Sequence, residues 1–134
     1  MGYLVIESGS GTVANTEYTA GVGSDIVRGI TNTSSGFAYN LSGLTGAQAA
    51  VVSAAAMDGN NGGWPVLYSN NPFSSSQLLL AFDEEVAADT ERSHTTEQVA
   101  YFAFGASSGS PTCSDGIQNG NETGVEIGGP NIKT

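Results

Sequence analysis

Positive charge is nearly absent from this chain. Three basic residues, Arg28, Arg92 and Lys133, stand against 13 acidic ones among 134 residues, which gives a formal net charge of −10. Nucleic acids and anionic membranes are bound through clusters of lysine and arginine. The charge balance therefore argues against a nucleic-acid ligand and against attachment to an anionic membrane.

Cysteine and long apolar segments are scarce as well. The single cysteine, Cys113, cannot form an internal disulfide bond, so cysteine usage alone does not indicate the cellular compartment. No apolar run approaches the ~20 residues of a membrane-spanning helix, so we expect no membrane insertion. The basic and apolar segments of a signal peptide are also missing. We expect any export signal to lie outside this sequence.

The abundant residues favour β-structure. The chain contains 19 glycines, about twice the average share, and serine, threonine and asparagine fill most other polar positions. Turns use glycine and asparagine to reach positive φ, and exposed strand positions favour threonine. Hydrophobic residues make up 39% of the chain and are grouped in strand-length blocks. This composition is typical of a secreted, extracellular all-β module.

Strand-length blocks alternate with turn residues along most of the chain. The blocks are residues 3–7, 12–20, 24–30, 37–41, 46–57, 64–68, 77–82 and 98–104. Their regular spacing of about 8–12 residues predicts an all-β fold, an antiparallel β-sandwich of about eight strands.

One of these blocks allows two interpretations. Residues 46–57, GAQAAVVSAAAM, contain alanines that favour a helix. However, neither an N-cap nor an amphipathic charge pattern accompanies them. A strand buried on both faces, where small residues let two sheets approach closely, agrees better with the neighbouring blocks. We therefore expect a strand.

The composition changes after Phe104. Residues 105–112, GASSGSPT, are typical of a flexible linker, and the residues that follow offer almost no core-forming side chains. We therefore place a β-sandwich module at 1–104 and a mostly irregular extension at 105–134. Within the module, MGYLVIE at Met1 and VAYFAFG at Val99 match in character and lie 98 positions apart. An offset of this size suggests a repeat in a longer array.

Several segments of the module resemble a known family. In order along residues 49–101 they are AAVVSAAAMDGNNGGWPVLY, QLLLAFDEE and ERSHTTEQVAY. They resemble a repeat module of very large secreted proteins from marine and environmental bacteria. The closing block, residues 98–104, also looks like the final strand of H-type lectin domains, which are antiparallel sandwiches. The resemblance implies an extracellular adhesive or structural module without an established catalytic role.

The extension resembles a second family. Residues 113–132, CSDGIQNGNETGVEIGGPNI, are similar to a cysteine-rich linker repeat of secreted Bacteroidetes proteins. Ile127 and Ile132 stand where that pattern has cysteines. The disulfide bonds of the pattern therefore cannot form here, and Cys113 is either free or paired outside the chain. The resemblance implies export, by the type IX route that such proteins use.

Acidic residues near two of the loops are the candidates for a metal site. A hard cation such as Ca²⁺ is bound by several oxygen ligands. The best candidates are Asp58, Asn60, Asp83 and Glu85, although EF-hand spacing is absent. A solvated acidic loop explains the same cluster without a metal. We therefore expect no cofactor, with Ca²⁺ as the one candidate.

The only histidine, His94, is expected to have a structural role. A zinc site needs three or four nitrogen or sulfur ligands, and only Cys113 could join His94 in one. His94 is more plausibly a residue that fixes the turn into the last strand, through hydrogen bonds with the adjacent threonines or Glu97. Arg92 is expected to pair with a nearby acid.

Catalytic motifs are missing from the sequence. Asp83 and Glu97 are conceivable as a glycosidase carboxylate pair, but nothing in the sequence fixes their separation. Neither a nucleophile elbow nor a glycine-rich phosphate loop is present. We therefore expect no enzymatic activity.

The loop at residues 58–63, DGNNGG, and the block after it are candidates for sugar binding. Trp64 follows the loop directly and Tyr68 ends the same block, while Asn60 and Asn61 supply amides. These four residues are the candidate ligand-binding residues. The alternative is that Trp64 fills the core of the sandwich, and we favour the core position.

Together these features predict a non-enzymatic structural or adhesive module of a large secreted or cell-surface bacterial protein or filament. The module would associate with copies of itself or with neighbouring modules. Residues 3–7 would be exchanged between units as a strand added to an exposed sheet edge. The alternative is a lectin-like module that binds surface glycans.

Overall fold

The computed structural model describes residues 3–74, 76–87 and 90–107. Within these ranges the chain forms eight β-strands and one short 3-10 helix, and no α-helix. The elements are β1 Gly9–Val13, β2 Thr16–Val22, the 3-10 helix Ile30–Asn32, β3 Phe37–Asn40, β4 Ala49–Ala54, β5 Gly63–Leu67, β6 Phe73–Ser74, β7 Gln77–Glu84 and β8 Val99–Ser107. No helix in the described ranges is long and apolar enough to cross a membrane.

The strands form two antiparallel sheets. The first sheet has the order β1-β2-β8-β4 and the second has the order β3-β7-β5, with β6 pairing with the start of β7. The long strands β8 and β7 are central, each with a neighbour along both edges. The predicted all-β sandwich is confirmed.

One hydrophobic core lies between the two sheets. Alternate residues of a strand point to opposite faces, so Leu78, Leu80 and Phe82 of β7 point inward together, and each is fully buried. They belong to the same buried cluster as Val99 and Ala103 of β8. Burial of each large apolar side chain contributes about 1.5–3 kcal/mol, so this layer holds the sheets together. The rest of the core is Val27, Tyr39, Leu41, Leu44 and Ala47.

The predicted strand at residues 12–20 is in fact a tight hairpin. Ala14 and Asn15 have φ values of 46° and 61°, and positive φ at both central residues is the feature of the two-residue turns that join twisted antiparallel strands. Val13 therefore pairs with Thr16 across the turn. Sequence reasoning missed this turn because alanine is an unusual residue in the left-handed region.

The predicted buried strand at residues 3–7 is wrong. These residues lie outside both sheets, and Tyr3, Leu4 and Val5 are 90%, 76% and 83% exposed. Residues 3–7 therefore have the same apolar pattern as β8 but do not pair with any strand. The match between Met1 and Val99 does not correspond to a match in structure within the described residues.

The predicted strand at residues 24–30 is reduced to two isolated bridges. Val27 bridges Glu97 and Gly29 bridges Phe82, and the 3-10 helix follows at once. This segment crosses from the first sheet to the second, because Glu97 precedes β8 whereas Phe82 belongs to β7. A segment that changes sheets cannot form a continuous ladder with either.

The strand predicted within residues 46–57 is present as β4, Ala49–Ala54, but the expected burial on both faces is wrong. Exposed and partly buried residues alternate along β4, because only its inner side chains, including Val52, pack against the core. Val51, on the opposite face, is 67% exposed. The other predicted strands at 37–41, 64–68, 77–82 and 98–104 correspond to β3, β5, β7 and β8.

The last strand crosses the predicted end of the module. β8 continues to Ser107, where Thr16 of β2 pairs with it, whereas the sequence placed the boundary after Phe104. Cys113 and the linker-like repeat at 113–132 lie outside the described residues.

Candidate functional site

The outer face of the first sheet is apolar. In an antiparallel ladder, residues directly opposite one another share a face, so Phe102 shares this face with its partners Ala20 and Val51. The same pairing, followed along the three strands, shows that no residue of β2, β8 or β4 on this face is charged. We call this surface the outer face: Tyr18, Ala20, Val22, Ala49, Val51, Ser53, Ala100, Phe102 and Phe104.

Aromatic rings form the centre of the outer face. The Phe102 ring lies 4.3 Å from that of Phe104 and 5.7 Å from that of Tyr18, centroid to centroid, and the second pair is edge-to-face. Around them, Val22 and Val51 are 55% and 67% exposed. A contiguous apolar patch rimmed by polar residues is the usual mark of an interaction surface. The outer face is therefore the first candidate functional site.

The N-terminal segment lies across this face without joining the sheet. Residues 3–8, which we call the arm, contribute Leu4 and Ile6 to the lining of an apolar cavity of about 240 Å³. Val22, Val51 and Phe102 line the same cavity from the sheet. Protein interiors are close-packed, so a cavity of this size shows that the arm covers the outer face only partly.

The second candidate site is a cluster of ionisable side chains in the interior. The side chain of His94 is 1% exposed, and its Nδ1 faces Glu84 Oε1 while its Nε2 lies 2.9 Å from Glu97 Oε1. Glu84 occupies an inward position at the end of β7, and Glu97 precedes β8. We call these three residues the histidine cluster. It joins the second sheet to the first.

The histidine cluster also anchors the loop at residues 58–63. Glu97 Oε1 accepts hydrogen bonds from the backbone N–H groups of Asp58 at 2.8 Å and Gly59 at 2.9 Å. A Cβ atom on Gly59 would lie only 2.4 Å from His94 Cε1, so the loop passes directly over the imidazole ring. Phe82 stacks on His94, with 4.6 Å between ring centroids. The ring is thus fixed between the loop and the core.

Two carboxylates on opposite sides of one imidazole favour its protonated form. Burial lowers the pKa of His94, but hydrogen bonds and charge interactions with Glu84 and Glu97 outweigh burial and raise this pKa above 6.5. For Glu97, burial raises the pKa, and the hydrogen bonds from Gly59, His94 and Asp58 outweigh it and lower this pKa below 4.5. The imidazolium form donates from both ring nitrogens and so satisfies both partners.

The histidine cluster leaves two buried carboxylate oxygens without a hydrogen-bond partner among the described residues. They are Glu84 Oε2 and Glu97 Oε2. The side chains of the cluster therefore satisfy its buried polar atoms only in part.

A shallow cleft opens beside the histidine cluster. It has a volume of about 300 Å³, and its lining is mostly polar: Asp58, Gly59, Asn60, Asn61, Glu84, Ser93, His94 and Thr95. The loop places the amides of Asn60 and Asn61 at the cleft as exposed side chains. Two of the four predicted ligand-binding residues therefore lie together at this cleft.

The other two predicted ligand-binding residues lie elsewhere. Trp64 faces outward on β5 opposite Asp83 and is 48% exposed, so the core position that we favoured for Trp64 is wrong. Tyr68 lines a different cleft, of about 630 Å³, with Asn70 and Asn71. The four predicted ligand-binding residues therefore do not form one site: two lie at the polar cleft, one on β5 and one at a second cleft.

The predicted metal ligands are not gathered into one group. Asp58 and Asn60 line the cleft, whereas Asp83 binds Arg92 and Glu85 accepts a hydrogen bond from the backbone of Ala87. In the part of the chain that the structure describes, no three His, Cys, Asp or Glu side chains are placed to hold a metal ion. Ca²⁺ binding by these four residues stays a prediction.

Asp83 and Glu97, the conceivable glycosidase pair, have different partners. Arg92 Nε and Nη2 donate to the two carboxylate oxygens of Asp83 at 2.7 and 2.5 Å. This hydrogen bonding lowers the pKa of Asp83 below 3.8. Glu97 belongs to the histidine cluster instead. The predicted pairing of Arg92 with an acid and the structural role of His94 beside Glu97 both agree with these contacts.

Sequence reasoning missed Glu84 and the outer face. Glu84 stands between Asp83 and Glu85, which the sequence offers as metal ligands or solvated acids, but alternation along β7 continues Leu80 and Phe82 inward to Glu84. The outer face could also have been predicted from the sequence. VAYFAF has large apolar residues at consecutive positions, as expected of a strand covered on both sides.

Comparison of the chain with protein-family models, with curated proteins and with solved structures finds no match in any of the three. Function is therefore inferred from the two sites themselves.

Proposed function

We propose that this chain is a non-enzymatic structural or adhesive module of an extracellular bacterial surface protein or filament. It acts by association through the outer face of its first sheet. The observation that carries the proposal is the uncharged, aromatic outer face, on which Val22 and Val51 remain 55% and 67% exposed.

The energetic argument rests on the area of apolar surface left in contact with water. Removing apolar surface from water contributes about 25 cal/mol per Å², and aromatic side chains dominate the energetics of interfaces. Tyr18, Phe102 and Phe104 already pack edge-to-face or tilted against one another. They offer a preorganised surface that loses little conformational entropy on binding.

The ionisable groups support a structural role rather than catalysis. His94, Glu84 and Glu97 are buried, with each carboxylate paired to one nitrogen of His94, and Asp83 is paired with Arg92. A general acid or base must be within hydrogen-bond reach of a substrate. Groups that are enclosed and paired inside the fold are better suited to holding the loop and the sheets in place.

The extracellular setting is supported by composition and by resemblance. Low charge with abundant glycine, serine, threonine and asparagine is typical of secreted β-modules, and the segments around residues 49–101 resemble repeats of large secreted bacterial proteins. A net charge of −10 keeps such modules soluble. It also directs association to a surface without charge, which the outer face provides.

Analytical ultracentrifugation over a range of concentrations tests the proposal. We expect the chain to self-associate, and we expect Val51→Asp, which places a charge at the centre of the outer face, to remain monomeric. Circular dichroism and thermal unfolding verify that the variant is folded. A wild-type chain that stays monomeric at the highest concentrations would contradict association through this face. Negative-stain microscopy distinguishes filaments from discrete oligomers.

A second function is favoured by one specific observation. Trp64 exposes 48% of its surface beside the ion pair of Asp83 and Arg92 on the outer side of the second sheet, and exposed tryptophan rings next to polar groups are suited to stacking on sugars. A lectin-like module would bind glycans there. Glycan-array binding that disappears in Trp64→Ala, while self-association is unchanged, would support this second function; absence of binding by the wild-type chain would exclude it for the glycans tested.

A further inference from the structure

The loop at residues 58–63 twice places a glycine directly after an aspartate or an asparagine. The two pairs are Asp58 with Gly59 and Asn61 with Gly62. In such a pair the backbone nitrogen of the glycine can attack the side-chain carbonyl carbon of the residue before it, because glycine has no Cβ atom to hinder the approach. The structure gives the two pairs different environments.

The Asp58–Gly59 pair is held in place. The N–H group of Gly59 donates to Glu97 Oε1 at 2.9 Å, and a Cβ atom on Gly59 would lie only 2.4 Å from His94 Cε1. The nitrogen of Gly59 is therefore engaged, and the backbone around it is packed against the imidazole ring. Attack on the Asp58 carboxyl group would require the loop to leave the histidine cluster.

The Asn61–Gly62 pair has neither constraint. Both residues are exposed, and a Cβ atom on Gly62 would meet nothing within 4 Å. In the described part of the chain, the N–H group of Gly62 and the side chain of Asn61 make no hydrogen bond. The attacking nitrogen and the amide carbon beside it are therefore free to approach one another.

We propose that Asn61 is a site of spontaneous covalent modification, at which its side-chain amide is converted to a carboxyl group. The Gly62 nitrogen forms a bond to Asn61 Cγ, the bond from Cγ to Nδ2 breaks, and the amide proton of Gly62 leaves with that nitrogen as ammonia. Water then opens the cyclic imide. Cleavage of the new bond to Cγ gives aspartate at position 61, and cleavage of the original peptide bond gives isoaspartate. The net reaction consumes water and releases ammonia, without a redox step.

The isoaspartate product lengthens the backbone of a segment that is anchored on both sides. One anchor is the hydrogen bond from Gly59 to Glu97, and the other is a 3.2 Å hydrogen bond from Glu85 N–H to the carbonyl oxygen of Gly62. Isoaspartate inserts an extra CH₂ group between them. Gly59 has no room to shift toward His94, so the added length displaces the loop outward. We expect the longer hydrogen bond, at Glu85, to weaken.

Incubation of the folded chain at neutral to mildly alkaline pH, followed by peptide mapping with tandem mass spectrometry, tests the proposal. We expect Asn61 to gain the mass that replaces an amide by a carboxyl group, in two isomeric products, while Asp58 forms no isoaspartate. Electron-transfer fragmentation distinguishes isoaspartate from aspartate at each position. Peptide mapping also separates Asn61 from Asn119, the other asparagine followed by glycine.

Gly62→Ala is the matched control. The new Cβ atom has space, so the variant should fold like the wild type. It should react several-fold more slowly at Asn61, because the methyl group hinders the attacking nitrogen. Equal reaction rates in Gly62→Ala and the wild type would overturn the proposed route.

A sample unfolded in urea decides whether the structure selects the site. Unfolding releases the Gly59 N–H group from Glu97, so we expect isoaspartate to form at Asp58 there as well. An Asn61 that stays intact in the folded chain but reacts in urea would overturn the proposal. Isoaspartate at Asp58 in the folded chain would overturn the protection by Glu97.

Hydrogen exchange at the Glu85 N–H group measures the effect on the loop. We expect faster exchange in the isoaspartate form than in the unmodified chain. Unchanged exchange would overturn the displacement of the loop while the modification site stands. None of these outcomes depends on association through the outer face, so the proposed function is tested separately.

Discussion

The outer face and the histidine cluster both depart from the usual arrangement, in which apolar side chains are buried and ionisable side chains are exposed. On the outer face, Val51 and Val22 are more than half exposed, whereas in the interior the side chains of His94, Glu84 and Glu97 are at most 2% exposed. Most apolar side chains of a protein are buried and most ionisable ones are exposed. A buried ionisable group or an exposed apolar patch is therefore the observation that needs an explanation.

The two regions resolve this departure differently. The histidine cluster finds most of its hydrogen-bond partners within the fold. Each carboxylate meets an imidazole nitrogen and Glu97 also receives two backbone N–H groups, whereas the second oxygen of each carboxylate has no partner among the described residues. Among the described residues outside its own sheet, the arm lines the outer face and leaves a cavity of about 240 Å³. We therefore expect changes in the histidine cluster to alter the stability of the fold, and changes on the outer face to alter association of the chain with a partner.

The largest expected effect on stability comes from Glu97→Ala. Removing this carboxylate leaves the N–H groups of Asp58 and Gly59 and one His94 nitrogen without an acceptor in a buried setting. We expect a loss of about 3–5 kcal/mol in the free energy of unfolding. Urea unfolding measures it. Glu97→Gln is the matched control, since its amide oxygen keeps an acceptor while reducing the buried negative charge. A loss as large in Glu97→Gln as in Glu97→Ala would show that charge, not acceptor capacity, matters.

Gly59→Ala should have the next largest effect. Its new methyl group would lie 2.4 Å from His94 Cε1 and 2.5 Å from Nε2, so the loop or the ring must move. Overpacking of this kind costs about 1–3 kcal/mol. Gly62→Ala in the same loop is the control, because a Cβ there meets nothing within 4 Å. Equal stabilities of the two variants would contradict the close contact between loop and ring.

The pH dependence of stability should reveal the histidine cluster. The pKa of His94 is raised in the folded state, so its contribution is fully present below pH 6.5 and is lost as pH rises through the raised value. The pKa of Glu97 is lowered, so its contribution is present above pH 4.5 and is lost as pH falls through the lowered value. We therefore expect the cluster to stabilise the fold most between pH 4.5 and 6.5.

Thermal unfolding across this range, together with an NMR titration of the His94 ring, measures the effect. In Glu97→Gln only one carboxylate faces the ring, so the loss of stability on the alkaline side should be smaller than in the wild type. A His94 that titrates below 6.5 would contradict the cluster as described.

The smallest expected effect on stability comes from Val51→Ser on the outer face. Val51 is 67% exposed, so we expect a change within about 0.5 kcal/mol in dilute solution. Association should weaken in the same variant. Urea unfolding at low protein concentration and sedimentation at high concentration separate the two properties. A large loss of stability of the Val51→Ser monomer would contradict the expectation that the outer face contributes to association and the histidine cluster to stability.

Much of the fold could be predicted from local pattern. The apolar content and strand length of residues 77–82 and 98–104 identified β7 and β8, and the glycine-rich residues 58–63 identified a loop. The hairpin at Ala14 and Asn15 was missed because its first turn residue is an alanine, which rarely has positive φ. The arm was assigned to a sheet because apolar pattern alone does not distinguish a paired strand from an unpaired one.

The sequence by itself determined that this protein is an all-β sandwich with few charged residues, most of them acidic, because apolar blocks and turn residues act over a few positions. Only the tertiary structure decided that Glu84 turns inward to His94 while Asp83 turns outward to Arg92. It also decided that Trp64 is exposed and that an apolar face remains open. Those outcomes depend on which strands become neighbours, and strand pairing joins residues as far apart as Thr16 and Ser107.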